Sequence, residues 1–187
     1  MHKIAAALLV VVASCEPRRG PEDEANVWKI AIAAEIPNAT RGRKVVLEST
    51  TSVGDLRSSA SGITEPFRAK NVDIPKQLVT RFLAANQSSV ELVEAVKQDA
   101  RVTLVTSAAA RAMFRSSDLE DDWAAFYRKY EGAAGLFKAS RPGFYRDFAL
   151  LYVEFSCGGL CGEGHLLLLR RAHEAWIVQA DVVTWIS

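Results

Sequence analysis

Residues 148–186 constrain the fold more than any other part of this chain. Phe148 to Cys157 (FALLYVEFSC) alternates so that Leu151, Val153, Phe155 and Cys157 share one face. His165 to Arg171 (HLLLLRR) is apolar on both faces, which places it centrally in a sheet. Trp176 to Ile186 puts Trp176, Val178, Ala180, Val182 and Ile186 on one face. The first two runs are separated by Gly158-Gly159-Leu160-Cys161-Gly162-Glu163-Gly164. Four glycines in seven residues call for positive φ or close backbone approach. Three strand patterns joined by short breaks predict a C-terminal antiparallel meander.

Upstream, helical and strand patterns mix. Glu22-Asp23-Glu24 supplies acid for a helix's first turn, Val27, Ile30, Ala31 and Ala34 form its stripe, and Pro37 is expected to stop it. Lys44 to Thr50 reads as a strand from its β-branched content. Ser52 to Asn71 is rich in Ser, Gly and Arg and reads as a long loop. Asp73 and Pro75 open a second helix, with Leu78, Phe82 and Ala85 on one face and Asn86 at its end. Val90 to Val96 is ambiguous. Arg101 to Thr106 reads as a strand, and Ser107 caps a short helix, Ala108 to Phe114. Ser117-Asp118-Leu119-Glu120 is a capping-box pattern. Behind it Trp123, Phe126, Tyr127 and Tyr130 make an aromatic stripe, the mark of a core face. Gly132 and Gly135 close that helix, Leu136 to Ala139 is a short strand, and Arg141-Pro142-Gly143 breaks it. Helices and strands segregating toward opposite ends predict an α+β fold, with several helices packed on an antiparallel sheet.

The first residues differ in kind. Met1-His2-Lys3 is a short positive start, and Ile4 to Ala13 is an apolar run too short to span a bilayer but sized for a signal peptide. It ends in Val12-Ala13-Ser14-Cys15, which resembles the lipobox of bacterial lipoproteins. That resemblance implies cleavage before Cys15 and a diacylglyceryl group on its thiol, a firm membrane anchor. The expected organisation is a signal peptide over 1–14, a tether over 15–25 and one α+β domain over 26–187. The 187 residues carry a net charge of +1, with 49% hydrophobic and 24% charged residues. That balance suits one globular domain and argues against a nucleic-acid partner.

With Cys15 given to lipid, Cys157 and Cys161 remain. In an oxidising compartment they most simply form a disulfide. The alternatives are a zinc site with His165 and His173, a redox pair, or free thiols. Hydrolase chemistry would draw on Ser140, His165 and Asp181 or Asp147, but no nucleophile-elbow motif surrounds any serine. Glu154 sits among apolar residues and is expected on the solvent side of its strand, and Arg141 is a loop arginine. Arg141, Glu154 and His165 near the hairpin are the candidate functional residues. No cofactor or metal motif stands out.

One further resemblance covers the C-terminal part. Trp123-Ala124-Ala125-Phe126-Tyr127, Ser140-Arg141-Pro142-Gly143-Phe144, Ala149-Leu150-Leu151-Tyr152-Val153, Cys157-Gly158-Gly159-Leu160-Cys161-Gly162 and the Trp176-Ile177-Val178 to Trp185-Ile186-Ser187 ending together resemble an uncharacterised family of secreted bacterial proteins. His165 and Arg171-Ala172-His173-Glu174-Ala175 depart from its pattern. The resemblance implies export and one compact domain and carries no established activity. The expected function is a lipid-anchored envelope protein that acts as a non-enzymatic binding or structural module, binding another envelope protein or component. The alternative is a small envelope hydrolase with its site near the Cys157–Cys161 hairpin.

Overall fold

A computed structural model describes residues 19–39, 43–54, 59–92 and 100–187. The expected signal peptide, Cys15 and most of the ambiguous stretch after Val90 lie outside the described residues.

The first helix, α1 (Pro21–Ala39), starts with proline at its first position and Glu22, Asp23 and Glu24 in its first turn. Proline has no N–H to leave orphaned there, and the acids complement the helix dipole. The helix therefore begins inside the stretch expected as tether, and Ala25 is buried. It runs past Pro37, which removes one backbone donor without ending it.

Strand β1 (Lys44–Glu48) lies where the β-branched run predicts. The expected loop from Ser52 to Asn71 contains a helix instead, α2 (Ala60–Ala69). Ser59 caps it by accepting from the Gly62 N–H, and Ile63 and Phe67 bury its inner face. With two apolar anchors one turn apart, the periodicity was too brief to stand out from its polar surroundings. Helix α3 (Lys76–Ala85) follows with Leu78, Val79 and Phe82 buried. Pro75, and not Asp73, stands at its N-cap, and Asn86 at its C-cap.

Strand β2 (Val102–Val105) leads into α4 (Ser107–Met113), capped by Thr106 through the Ala109 N–H. Helix α5 (Leu119–Lys129) is capped by Asp118, whose carboxylate accepts from the Glu120 and Asp121 N–H groups. The meander comprises β3 (Ala133–Ala139), β4 (Gly143–Tyr145), β5 (Phe148–Gly158), β6 (Cys161–Ala172) and β7 (Ala175–Ile186). Gly135, expected to close the preceding helix, lies within β3. Gly132 alone takes the terminating role, at φ +77°.

The seven-stranded sheet has the order β2-β1-β3-β5-β6-β7, with β4 also paired to β5. It is mixed, not wholly antiparallel: β1 runs parallel to both β2 and β3. Each of these three strands is separated from the next by a helical pair, and a crossover of that length delivers the chain back in the same direction. From β3 onward the strands follow one another closely, and their pairings are antiparallel. The α+β class and the C-terminal meander thus hold, and the antiparallel expectation holds for part of the sheet.

Both sheet faces are covered. Val27, Trp28, Ala31 and Ile32 of α1 pack on Leu47, Phe137, Leu151, Val153, Leu167, Leu169 and Trp176. On the opposite face Ile63, Phe67, Leu78, Val79 and Phe82 cover Leu150, Tyr152, Leu166, Leu168 and Val182. Strand alternation places Val46 and Leu136 on that second face too, where Ala110, Trp123 and Phe126 of α4 and α5 cover them. Helices α2–α3 and α4–α5 therefore share one face of the sheet and meet its two ends.

Strand β7 departs from simple alternation. Its pairing with β6 skips Gln179 and again Thr184, two bulges. Trp176 and Val178 consequently face α1, while Ala180 and Val182 face the other side. The single face expected for all of them is divided, because one extra residue reverses every side chain beyond it.

Candidate functional site

Strands β1, β3 and β5 lie side by side, and each carries one charged residue at the same level on the face opposite α1. Lys138 on β3 is the register partner of Glu154 on β5. On its other side, one residue past the Leu47–Phe137 partners, stands Glu48 of β1. The result is a carboxylate–ammonium–carboxylate row across three strands. Lys138 Nζ donates to Glu154 Oε1 at 2.9 Å. The second Glu154 oxygen accepts from the Tyr152 hydroxyl at 3.2 Å, and that hydroxyl accepts from Trp185 Nε1 at 2.7 Å. Burial pushes the Tyr152 hydroxyl up to about 12, the neighbouring Glu154 charge adding to the rise and the Trp185 hydrogen bond opposing it. Glu48, 8% exposed, accepts from Ser107 Oγ at 2.6 Å, and Ser107 also meets Thr50 Oγ1.

Over the Glu48 and Lys138 part of this row opens a cavity of about 840 Å³, a size common among small-molecule sites. Glu48, Leu136, Lys138 and Ser156 line its floor. Helix α4 forms a wall. Ala108, Arg111 and Ala112 share its outward face by helical spacing, and Arg115 follows just past its end. The two alanines leave the space open. Its end is closed by Phe114 and Trp123, whose ring centroids are 4.7 Å apart. Among the described residues neither Arg111 nor Arg115 has a hydrogen-bond or ion-pair partner.

The cysteine hairpin borders this region. Cys157 and Cys161 stand at disulfide distance, with Cα atoms 5.1 Å apart. Ser156, one residue before Cys157, is on the cavity floor. Tyr127 of α5 donates to the carbonyls of Cys157 (2.9 Å) and Ala134 (3.1 Å), tying the hairpin base to the helix that bears Trp123. Burial raises the Tyr127 hydroxyl above its ordinary value, partly offset by Arg43.

No protein-family model, curated protein or solved structure matches the chain.

The three residues singled out from sequence do not converge. Glu154 belongs to the charged row, and its side chain is only 15% exposed. It was expected in solvent because its neighbours alternate; with both sheet faces covered, alternation no longer separates inside from outside. His165 pairs with Val153 across the strands and so lies on the α1 face. Its Nδ1 is 2.7 Å from Asp181 Oδ1 and its Nε2 is 3.3 Å from Glu163 Oε2. Arg141, in the β3–β4 connection, reaches Glu24 of α1 with Nε at 3.1 Å and Nη2 at 3.4 Å. Its backbone N–H and carbonyl are both held by the Asn86 side chain at 2.8 Å. Arg141 thus clamps α1 and α3 to the sheet.

Of the alternative triad, the structure joins His165 to Asp181, while the serine is engaged elsewhere. Ser140 is fully buried, its Oγ donating to the Arg141 carbonyl and accepting from the Tyr152 N–H. Asp147 pairs with Arg19 at 3.4 Å. His173, the further zinc candidate, sits at the β6–β7 turn with φ +56°, at the opposite end of β6 from Cys161.

Glu48, Lys138, Arg111 and Arg115 escaped the sequence reading. A signal existed for the first two: Lys138 is the lone charge of an otherwise apolar strand (AAGLFKA), and Glu48 directly follows the apolar run of KVVLE. The arginines gave none, because a charged residue on a short helix is the ordinary surface pattern.

Proposed function

We propose that this chain is an exported, lipid-anchored envelope protein that binds a small ligand in the cavity between α4–α5 and the sheet, without catalysing a reaction. The single observation carrying the binding reading is the open cavity of about 840 Å³ over Glu48 and Lys138. Floor charges that answer one another hold a fixed polar pattern at low cost, which suits recognition. They are poorly placed to transfer protons, since Glu154 is occupied by Lys138 and Tyr152, and Glu48 by Ser107. A hydrolase near the hairpin would need Arg141, Glu154 and His165 in one cleft, and they point to different parts of the fold.

Export is supported by the lipobox-like Val12-Ala13-Ser14-Cys15 and by the closeness of Cys157 to Cys161, a pairing suited to an oxidising space. Among the described residues no helix is long and apolar enough to cross a membrane. The membrane is engaged, on this reading, through the acyl chains on Cys15.

Mass spectrometry of the native protein tests the anchor. The expected species lacks residues 1–14, carries a diacylglyceryl group on Cys15 and resists alkylation at Cys157 and Cys161 until reduced. A full-length, unacylated chain with reactive thiols removes it. Occupancy of the cavity is tested by ligand-induced NMR shifts at Lys138 and Trp123; shifts confined to other surfaces remove the binding reading.

A further inference from the structure

Resting on the cavity reading above, we infer that the ligand is a small organic anion with a flat apolar part, its charged end held by Arg111 and Arg115 and its flat part laid on Phe114 and Trp123. The charges around the cavity set the sign. Lys138 is neutralised by Glu154 at 2.9 Å, and Glu48 is held by Ser107. Arg111 and Arg115 are the lining cations without a partner among the described residues. Arg111 in the last turn of α4 and Arg115 just past its end line the same cavity, so an anion held between them meets two positive charges. Guanidinium is also the side chain whose planar fork matches a carboxylate or phosphate through two parallel hydrogen bonds.

The lining also sets the shape. Phe114 and Trp123 present tilted rings at one end, and Leu136 adds an aliphatic floor beside them. The alanines at 108 and 112 keep the α4 wall low, so a rigid ring system can enter from the arginine side. A compact inorganic anion would reach the guanidiniums and leave the aromatic end unfilled. An amine would face the two unpartnered guanidiniums against the single Glu48 carboxylate of the floor.

The test uses three probes with the whole exported domain: 2-naphthoate, 2-naphthylmethylamine and inorganic phosphate, each titrated while the Trp123 indole N–H and the Arg111 and Arg115 Nε–H signals are followed by NMR. Expected are saturable shifts at all three groups with naphthoate, and binding at least about tenfold weaker for the amine and for phosphate. The Arg111→Ala/Arg115→Ala double variant should bind naphthoate at least about tenfold more weakly, the loss expected for charge-assisted hydrogen bonds. Arg128→Ala, which removes a cation outside the cavity, should leave affinity unchanged. The double variant's melting temperature checks that it folds; both arginines are exposed, so the fold does not depend on them.

Equal binding of amine and naphthoate at Trp123, or undiminished naphthoate affinity in the double variant, overturns the anion inference and leaves the cavity a binding site. Phosphate binding as tightly as naphthoate overturns the flat-ligand part. Shifts at Trp123 with none of the three probes overturn the inference and count against the cavity reading itself.

Discussion

The indole N–H of Trp185 on β7 reaches the hydroxyl of Tyr152 on β5, 2.7 Å away, by passing over the strand between them. The crossing occurs at Gly164. A Cβ built there would fall 2.1 Å from Trp185 Nε1 and 2.7 Å from the Tyr152 oxygen. The indole lies where a side chain of β6 would otherwise stand; one hydrogen bond links β7 to β5 across it, and the same Tyr152 hydroxyl donates to Glu154.

Gly164→Ala should therefore force Trp185 off Tyr152. Overpacking of this kind costs about 1–3 kcal/mol. Urea denaturation followed by tryptophan fluorescence should show that loss, with Trp185 more solvent-exposed in the native baseline. Unchanged stability would mean that the indole does not need the space.

The raised Tyr152 hydroxyl makes a prediction about alkaline pH. The folded state holds this proton more tightly than the unfolded chain, where a tyrosine titrates near 10. The contribution to stability is complete below pH 10 and is lost as pH rises toward about 12. A gap of two units amounts to roughly 2–3 kcal/mol. Chemical denaturation across this range should show the decline, and Tyr152→Phe should flatten it. Absorbance titration of the native protein should lose one late-titrating tyrosine in the variant.

Arg141 is predicted to matter for stability and not for ligand. Arg141→Met leaves the Glu24 carboxylate on α1 without its partner while the backbone bonds to Asn86 persist. With Arg141 itself 45% exposed, the expected loss is modest, about 1–2 kcal/mol. Arg141→Lys should recover only part of it, since an ammonium cannot repeat the two-pronged contact. Thermal denaturation gives the comparison, and ligand affinity for the cavity should be unaltered in both variants.

Replacing Cys157 and Cys161 together by serine should cost about 2 kcal/mol, the loop-closure value for so short a ring. The fold should survive, because Tyr127 still holds the Cys157 carbonyl and β5 still pairs with β6 along most of its length. Calorimetry with and without reductant measures the same quantity on the parent protein. A reductant-insensitive melting temperature would show that the two thiols are not joined.

The sequence made the C-terminal half legible and the site almost not at all. Leu166 to Leu169 announced a strand buried on both faces, and the Trp123 stripe announced a core helix, because each repeats its signal over several residues. The parallel pairing of β1 was hidden, since it depends on where α2 to α5 deliver the chain and not on β1 itself. The split in β7 was hidden for a similar reason: the bulge at Gln179 appears only when β6 is laid beside it. Of the charged row, Glu154 could be noticed as an acid among apolar neighbours. Lys138 and Glu48 became its companions only through the register of three strands drawn from distant segments. His165 drew attention because histidine is versatile, yet the pairing with Val153 carries it to the other side of the sheet.

The two bulges in β7 have a bearing beyond the division of its faces. This twelve-residue strand ends the sheet and would, if regular, offer a long straight rail of unmatched amide and carbonyl groups. Interrupting the rail at Gln179 and Thr184 breaks it into short, differently angled pieces. A second copy set against β7 then meets no continuous border along which to pair.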